Sequence, residues 1–465
     1  LNQQEEKMDK NKHAIDIKDL TQPNSGLKRD MGLMRAIGVM AGLMIGSGIF
    51  YVGAYTLDYL HMSSGWALVA WLLAAMYSLG TGLCYAEMGA AMPRAGGTYN
   101  FLTAGIGPSV GFAMGWADFW ICCTASISAL ALGFAGYLAP LLGIEGIGVP
   151  ILACVAIISL SLVNMRGVKQ GSGVSTLLLV IKIALIAFII VAGLSFKGGG
   201  GDPISFAFDG KNFLGALSMG IIACQWAYDG WSSVCIVAEE IKEPQKNIPR
   251  AITIALGTIG VIYLIFNYVL MRLLPVADIV SSENPTYDAV GLMFGKGAAT
   301  FLTIGIVLSV LGATNSSILA YPREYYTMAR DKRWFPVFGK INEKTGTPVN
   351  SQIFTMVYAC IICFFSTFQT LVSLTVLASN VFYTLSVVSL FRLRKKYPDI
   401  NRPYKVWAYP ILPIIVIIAS IVIMVANFVS DPKTIIGFLI PLSGLPAYYL
   451  FQKYYGNKEV AEKAE

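Results

Sequence analysis

The sequence predicts an all-α integral membrane protein of twelve spans. Three observations carry that prediction: a composition short of charge, apolar stretches that recur at bilayer length, and lysines and arginines sorted between alternate loops. Of 465 residues, 55% are hydrophobic and 13% charged, and the mean hydropathy is +0.63. Soluble domains carry about 25% charged residues, so most side chains of this chain avoid water. Stretches such as 148–165, 173–196, 251–271 and 408–428 approach or exceed the roughly 20 apolar residues that cross a bilayer as a helix.

The spans are expected at 32–58, 65–90, 108–137, 148–166, 171–196, 213–238, 250–273, 288–319, 350–368, 371–391, 408–428 and 434–452. They divide the chain into a polar tail (1–31), a first block of five spans (32–196), a second block of five (213–391), a final pair (408–452) and a second tail (453–465). Loops at 197–212 and 274–288 and a basic loop at 320–349 are the longer connections. Placing the first tail in the cytoplasm puts 28 of the 34 lysines and arginines on that side. Only Lys197, Lys211, Arg272, Lys296 and Lys433 fall opposite, and Lys182 stays inside span five. That asymmetry supports cytoplasmic termini in the cell membrane. Residues 1–30 lack an apolar core, so no cleavable signal is expected there.

Inventory excludes other classes. The two histidines, His13 and His61, cannot build a histidine-box metal centre or a bis-histidine haem site. The cysteines (84, 122, 123, 154, 224, 235, 360 and 363) sit mostly in apolar stretches, where they serve as small packing residues. An enzyme, a metal, a cofactor and a nucleic-acid partner are therefore not expected. The partners expected are the lipid bilayer and a small solute.

Two spans are interrupted. Span one carries Gly42 and Gly46-Ser47-Gly48 near its middle, and span six carries Tyr228-Asp229-Gly230. The first starts in the cytoplasm and the second outside, so spans 1–5 and 6–10 read as repeats of opposite orientation, with a site where the breaks meet. Unwinding frees N–H groups that attract a carboxylate and C=O groups that attract an ammonium. An amino acid zwitterion presents both. The bland alternative is that these glycines only permit close helix packing.

At these residues the chain resembles the amino acid–polyamine–organocation (APC) transporters. Gly46-Ser47-Gly48-Ile49-Phe50 is similar to their G-S-G-I-F, and Pro93-Arg94-Ala95-Gly96-Gly97-Thr98-Tyr99 to their P-R-x-G-G-x-Y. The stretch from Glu239 to Ile252 resembles E-E-x-x-x-P-x-x-x-x-P-R-A-I, and Arg402-Pro403-Tyr404-Lys405-Val406-Trp407 resembles R-P-[FY]-K-V-W. Trp226-Ala227-Tyr228-Asp229-Gly230-Trp231, Lys182, and Gly312 with Asn315 are most similar to the L-type amino acid transporter (LAT) branch. The resemblance implies a LeuT-like fold with a 5+5 inverted repeat and broken helices one and six. It implies that the backbone at Ser47, Gly48 and Ile49 receives the substrate carboxylate and that at Met44, Trp226, Ala227 and Asp229 the amino group. Trp226 would be the gate, where the branch usually has Phe. Eukaryotic members of the branch pair with a glycoprotein through a cysteine in the loop after span three. Residues 138–147 contain none, so no disulfide-linked heavy-chain partner is expected.

A lysine at bilayer depth costs roughly 2.5–3.5 kcal/mol on insertion scales, so Lys182 must face the interior. It either replaces the cation of sodium-coupled relatives between spans one, five and eight, ties helices together, or carries a proton. Asp118 pairs with a cation, lines an inward cavity or simply packs. Glu87, Glu239 and Glu240 are placed near Arg94 and Arg250, and Arg323, Arg330, Lys332 and Arg333 are read as the charge asymmetry alone. No carboxylate presents itself for a cationic side chain, which favours neutral L-amino acids; the small polar residues Cys122, Cys123, Thr124, Ser126 and Ser128 of span three either border a pocket for a small side chain or simply pack. The leading expectation is thus sodium-independent exchange by alternating access. A proton-coupled symporter and an amino-acid-sensing receptor are the alternatives.

Overall fold

The computed structural model describes residues 17–21, 29, 31–46, 48–282, 284–430 and 432–456. Among these residues helices account for nearly all regular structure, and extended pairing is limited to isolated bridges. Eight helices are long and apolar enough to cross a membrane. They are span two (Ser64–Ala91), three (Pro108–Leu142), four (Gly148–Met165), five (Val168–Ser195), seven (Pro244–Leu273), eight (Lys296–Arg330), ten (Phe368–Lys396) and eleven (Ile411–Ser430). Leu33–Met44 and Gly48–Tyr59 form span one, bent by 45° at its break. The shorter helices Phe213–Tyr228, Val349–Phe365 and Ile436–Phe451 complete the twelve as spans six, nine and twelve.

Local chemistry sets the ends. Proline opens spans three and seven at Pro108 and Pro244, where the missing N–H is no loss. The Asn212 and Thr367 side chains cap spans six and ten by accepting from Gly215 N and Thr370 N at 3.0 and 3.3 Å. Gly143, at φ 65°, ends span three in the left-handed conformation. Span eight departs from the sequence expectation at both ends. Residues 285–294 form a separate helix, and past Ala320 the chain continues through Pro322–Arg330. Pro322 reads as a stop but occupies a first helical turn, where proline is tolerated. The expected loop at 274–288 likewise contains a short helix, Val276–Ser281.

Packing follows the repeat. Span one packs on six, two on seven, three on eight and four on nine. Five packs on eight as ten packs on three, and two on six as seven on one. Each relation maps onto another, or itself, when a span is replaced by the one five later, as a 5+5 repeat demands. Ahead of span one, Met31 N donates to Glu240 O at 2.9 Å and Met31 O accepts from Lys242 N at 2.8 Å. The segment before the bundle is thereby pinned to the segment after span six.

Candidate functional site

The two breaks meet. A Cβ on Gly48 would lie 2.7 Å from Ala227 Cα, and one on Gly230 (φ 106°) 2.7 Å from Leu43 Cβ. Each span therefore brings a glycine against the backbone or first side-chain carbon of the other, a contact no larger residue permits. Span six ends its α-helix at Tyr228, and after residues 229–232 a short helix, Ser233–Ile236, follows. Gly48 and Ile49 begin the second piece of span one, so their N–H groups belong to a helix N-terminus. Ser47 lies outside the described residues. Met44 O accepts from Tyr263 OH at 2.8 Å and from Gly46 N, and Trp226 O accepts from Asp229 N at 3.2 Å. Asp229 Oδ1 accepts from Tyr383 OH at 2.7 Å.

Behind the break, Lys182 is fully buried. Its ammonium donates to Gly42 O at 3.0 Å and to Ile45 O at 2.5 Å. Span eight closes the niche, because a Cβ on Gly312 would stand 3.6 Å from Lys182 Cε. Asn164 of span four donates to Asn315 Oδ1 at 2.7 Å on the same helix. The lysine therefore joins spans five, one and eight.

On one side of the break, Trp226 stands edge-on to Phe368, their centroids 6.3 Å apart, and Phe368 lies tilted against Tyr51, which meets Tyr137. Beyond these rings is a cavity lined by Tyr55, Tyr59, Gln369 and Asn427. On the other side is a second, small cavity. It is lined by Asp118, Ser126, Asp229, Ser379, Glu324 and Tyr383, among others. Three carboxyl groups thus border it: Asp118, one of whose expected places was such a cavity, Asp229 of the break, and Glu324, which was not expected. Asp118 lines the cavity but meets the Glu324 carboxyl rather than a cation. It opens a π-helical turn, Asp118–Cys122, in span three, a local bulge of a kind common at functional sites. Glu324 was hidden in the sequence because it follows Pro322 and reads as loop.

At the arginine-rich end Glu239 lies beside Arg94, as expected, whereas Glu87 and Glu240 turn to other arginines. Glu87 binds Arg394, at 2.6 and 2.8 Å, and takes Val406 N, rather than facing Arg94 or Arg250. Arg402 sits 3.7 Å from it and donates to Leu393 O and Tyr397 O, finishing span ten. Glu240 lies 3.6 Å from Arg323, and Glu239 accepts from Ala95 N. Arg94 makes a two-pronged contact with Asp331, at 2.5 and 3.1 Å, joined by Tyr99 OH. Burial opposes the Arg94 charge, but the hydrogen bond and charge of Asp331 outweigh it and raise the guanidinium above its ordinary range. Arg333, also buried, donates to Tyr99 OH. These arginines are structural members of a closed end and not only an orientation signal.

Comparison with known proteins agrees with this architecture. Residues 31–451 match the amino acid permease family. The serine/threonine exchanger SteT of Bacillus subtilis (strain 168) is 33% identical over 437 residues, covering 92% of this chain and 98% of that protein. The mouse b(0,+)-type amino acid transporter 1 is 28% identical, covering 96% and 91%. The human large neutral amino acids transporter small subunit 2 is 29% identical, covering 91% and 80%. With paired broken helices at its centre and this match along nearly its whole length, the chain belongs to the amino acid permease family of the APC superfamily, and is a multi-pass amino acid transporter rather than an enzyme.

Proposed function

We propose that this protein exchanges small neutral L-amino acids across the cell membrane by alternating access and without sodium. The observation that carries the reading is the Lys182 ammonium on the Gly42 and Ile45 carbonyls. It sets a fixed positive charge behind the broken helix, where a bound cation would otherwise satisfy those oxygens. The N–H groups at Gly48 and Ile49, with Ser47 beside them, receive the substrate carboxylate. Carbonyls of Met44, Trp226, Ala227 and Asp229 receive the ammonium, and Trp226 closes over the outer side. Small hydroxyl side chains such as Ser126 and Ser379 border the cavity, and SteT, a relative along nearly its full length, is named for serine and threonine. These features favour serine-sized substrates.

The termini are assigned to the cytoplasm by the arginine and lysine asymmetry. The loop after span three, with no cysteine between 138 and 147, supports a chain that works without a disulfide-linked partner. Counterflow in proteoliposomes tests the function. Labelled serine should accumulate only when unlabelled serine is inside, and replacing sodium with choline should leave the rate unchanged. Uptake into empty liposomes, or a strict sodium requirement, would exclude this reading.

A further inference from the structure

The cavity wall carries three carboxyl groups, Asp118, Asp229 and Glu324. Asp118 and Glu324 are 7% and 1% exposed. A carboxyl oxygen of each and Cys123 Sγ lie within 4.8 Å of one another. Glu324 Oε1 is buried without a hydrogen-bond partner, in a residue that lines the cavity.

The ionisable groups facing the pair are acids, thiols and phenols. Cys122 and Cys123 come from the same helix as Asp118, Asp229 from the break in span six, and Tyr321 and Tyr325 from the helix of Glu324. Tyr383 of span ten is spent on Asp229. Among the described residues that line the cavity there is no lysine, arginine or histidine. Lys182 is remote: it touches span eight at Gly312, twelve residues before Glu324, or about 18 Å along the helix.

Two carboxylates this close, in a site shielded from water, repel strongly when both are charged. One proton shared between two neighbouring carboxyls removes that repulsion and lets one donate to the other. The pair bridges spans three and eight, so its charge state acts on the contact between them. We propose that Asp118 and Glu324 form a one-proton site in the wall of the transport cavity, and that its occupancy sets the rate of transport. The proton arrives from cavity water and sits between the two carboxyls as the O–H of one. When it leaves to water, both groups are charged, spans three and eight are pushed apart and water enters. The idea rests on the transport reading above.

The test uses the full chain in proteoliposomes clamped to equal pH on both faces. Labelled-serine exchange by the wild type should fall at least about tenfold from its acid plateau toward alkaline pH. Glu324→Gln and Asp118→Asn should flatten that profile. A wild-type profile that is flat, or that persists in both variants, overturns the proposal and moves any titration elsewhere. Infrared spectra give a readout free of substrate. A carboxylic-acid C=O band should be present in the wild type and lost in both variants, and its absence from the wild type also overturns the site. If serine is not exchanged at any pH, the transport reading falls while the infrared band still decides the proton site.

Discussion

The Lys182 ammonium and the Ile45 carbonyl are 2.5 Å apart, and with the Gly42 carbonyl at 3.0 Å they tie span five to the break in span one. Removing the side chain leaves two buried carbonyls without a donor, at about 1–3 kcal/mol each. Lys182→Ala should cut the initial rate of counterflow by more than about tenfold. A variant that keeps wild-type flux would reduce Lys182 to a helix tie.

Gly48 sits where a methyl group would press on Ala227 Cα. Gly48→Ala must move backbone, so we expect a loss of about 1–3 kcal/mol and near-abolished transport. Thermal unfolding and serine exchange measured together check this. Full activity would mean that the breaks do not have to touch.

Tyr383 donates to Asp229 Oδ1 at 2.7 Å. Tyr383→Phe removes this hydrogen bond from a buried carboxyl and should destabilise by about 1–3 kcal/mol. Asp229→Asn keeps a group that can meet the phenol and should lose less stability. Midpoints of thermal unfolding in nanodiscs rank the two, and the reverse order would show that the hydrogen bond is not what holds Asp229.

Arg94, which is buried, and Asp331, which is partly so, form a two-pronged ion pair. Breaking such a pair by removing one partner costs about 3–5 kcal/mol. Asp331→Asn and Arg94→Gln should each be severe, while the double variant should fall well short of their sum. A double-mutant cycle on thermal stability that proves additive would deny the coupling.

Much of the bundle was legible in the sequence because bilayer length and charge asymmetry are strong, redundant signals. The span boundaries at 108, 148 and 213 coincide with helix starts in the structure. The paired breaks were legible because clustered glycine and a mid-span aspartate are costly in an unbroken membrane helix. Span eight was misjudged at both ends. Pro322 has the same appearance whether it stops a helix or restarts one in line, and only tertiary packing decides. That one ambiguity placed Glu324 outside the membrane and concealed its contact with Asp118. Likewise, nearness in sequence suggested Arg94 or Arg250 for Glu87, whereas its partner Arg394 is more than 300 residues away. Ion-pair partners are fixed by which helix ends converge, and local pattern does not encode that.

The bridge between Met31 and the segment at Glu240–Lys242 has a mechanical meaning. That segment continues directly from Gly230 and Ser233 in the cavity wall, so displacement there pulls on the chain ahead of span one. A fluorophore placed near Met31 would report the swing of the stub below Asp229, and a bulky domain fused at that point would act as a drag on the transport cycle.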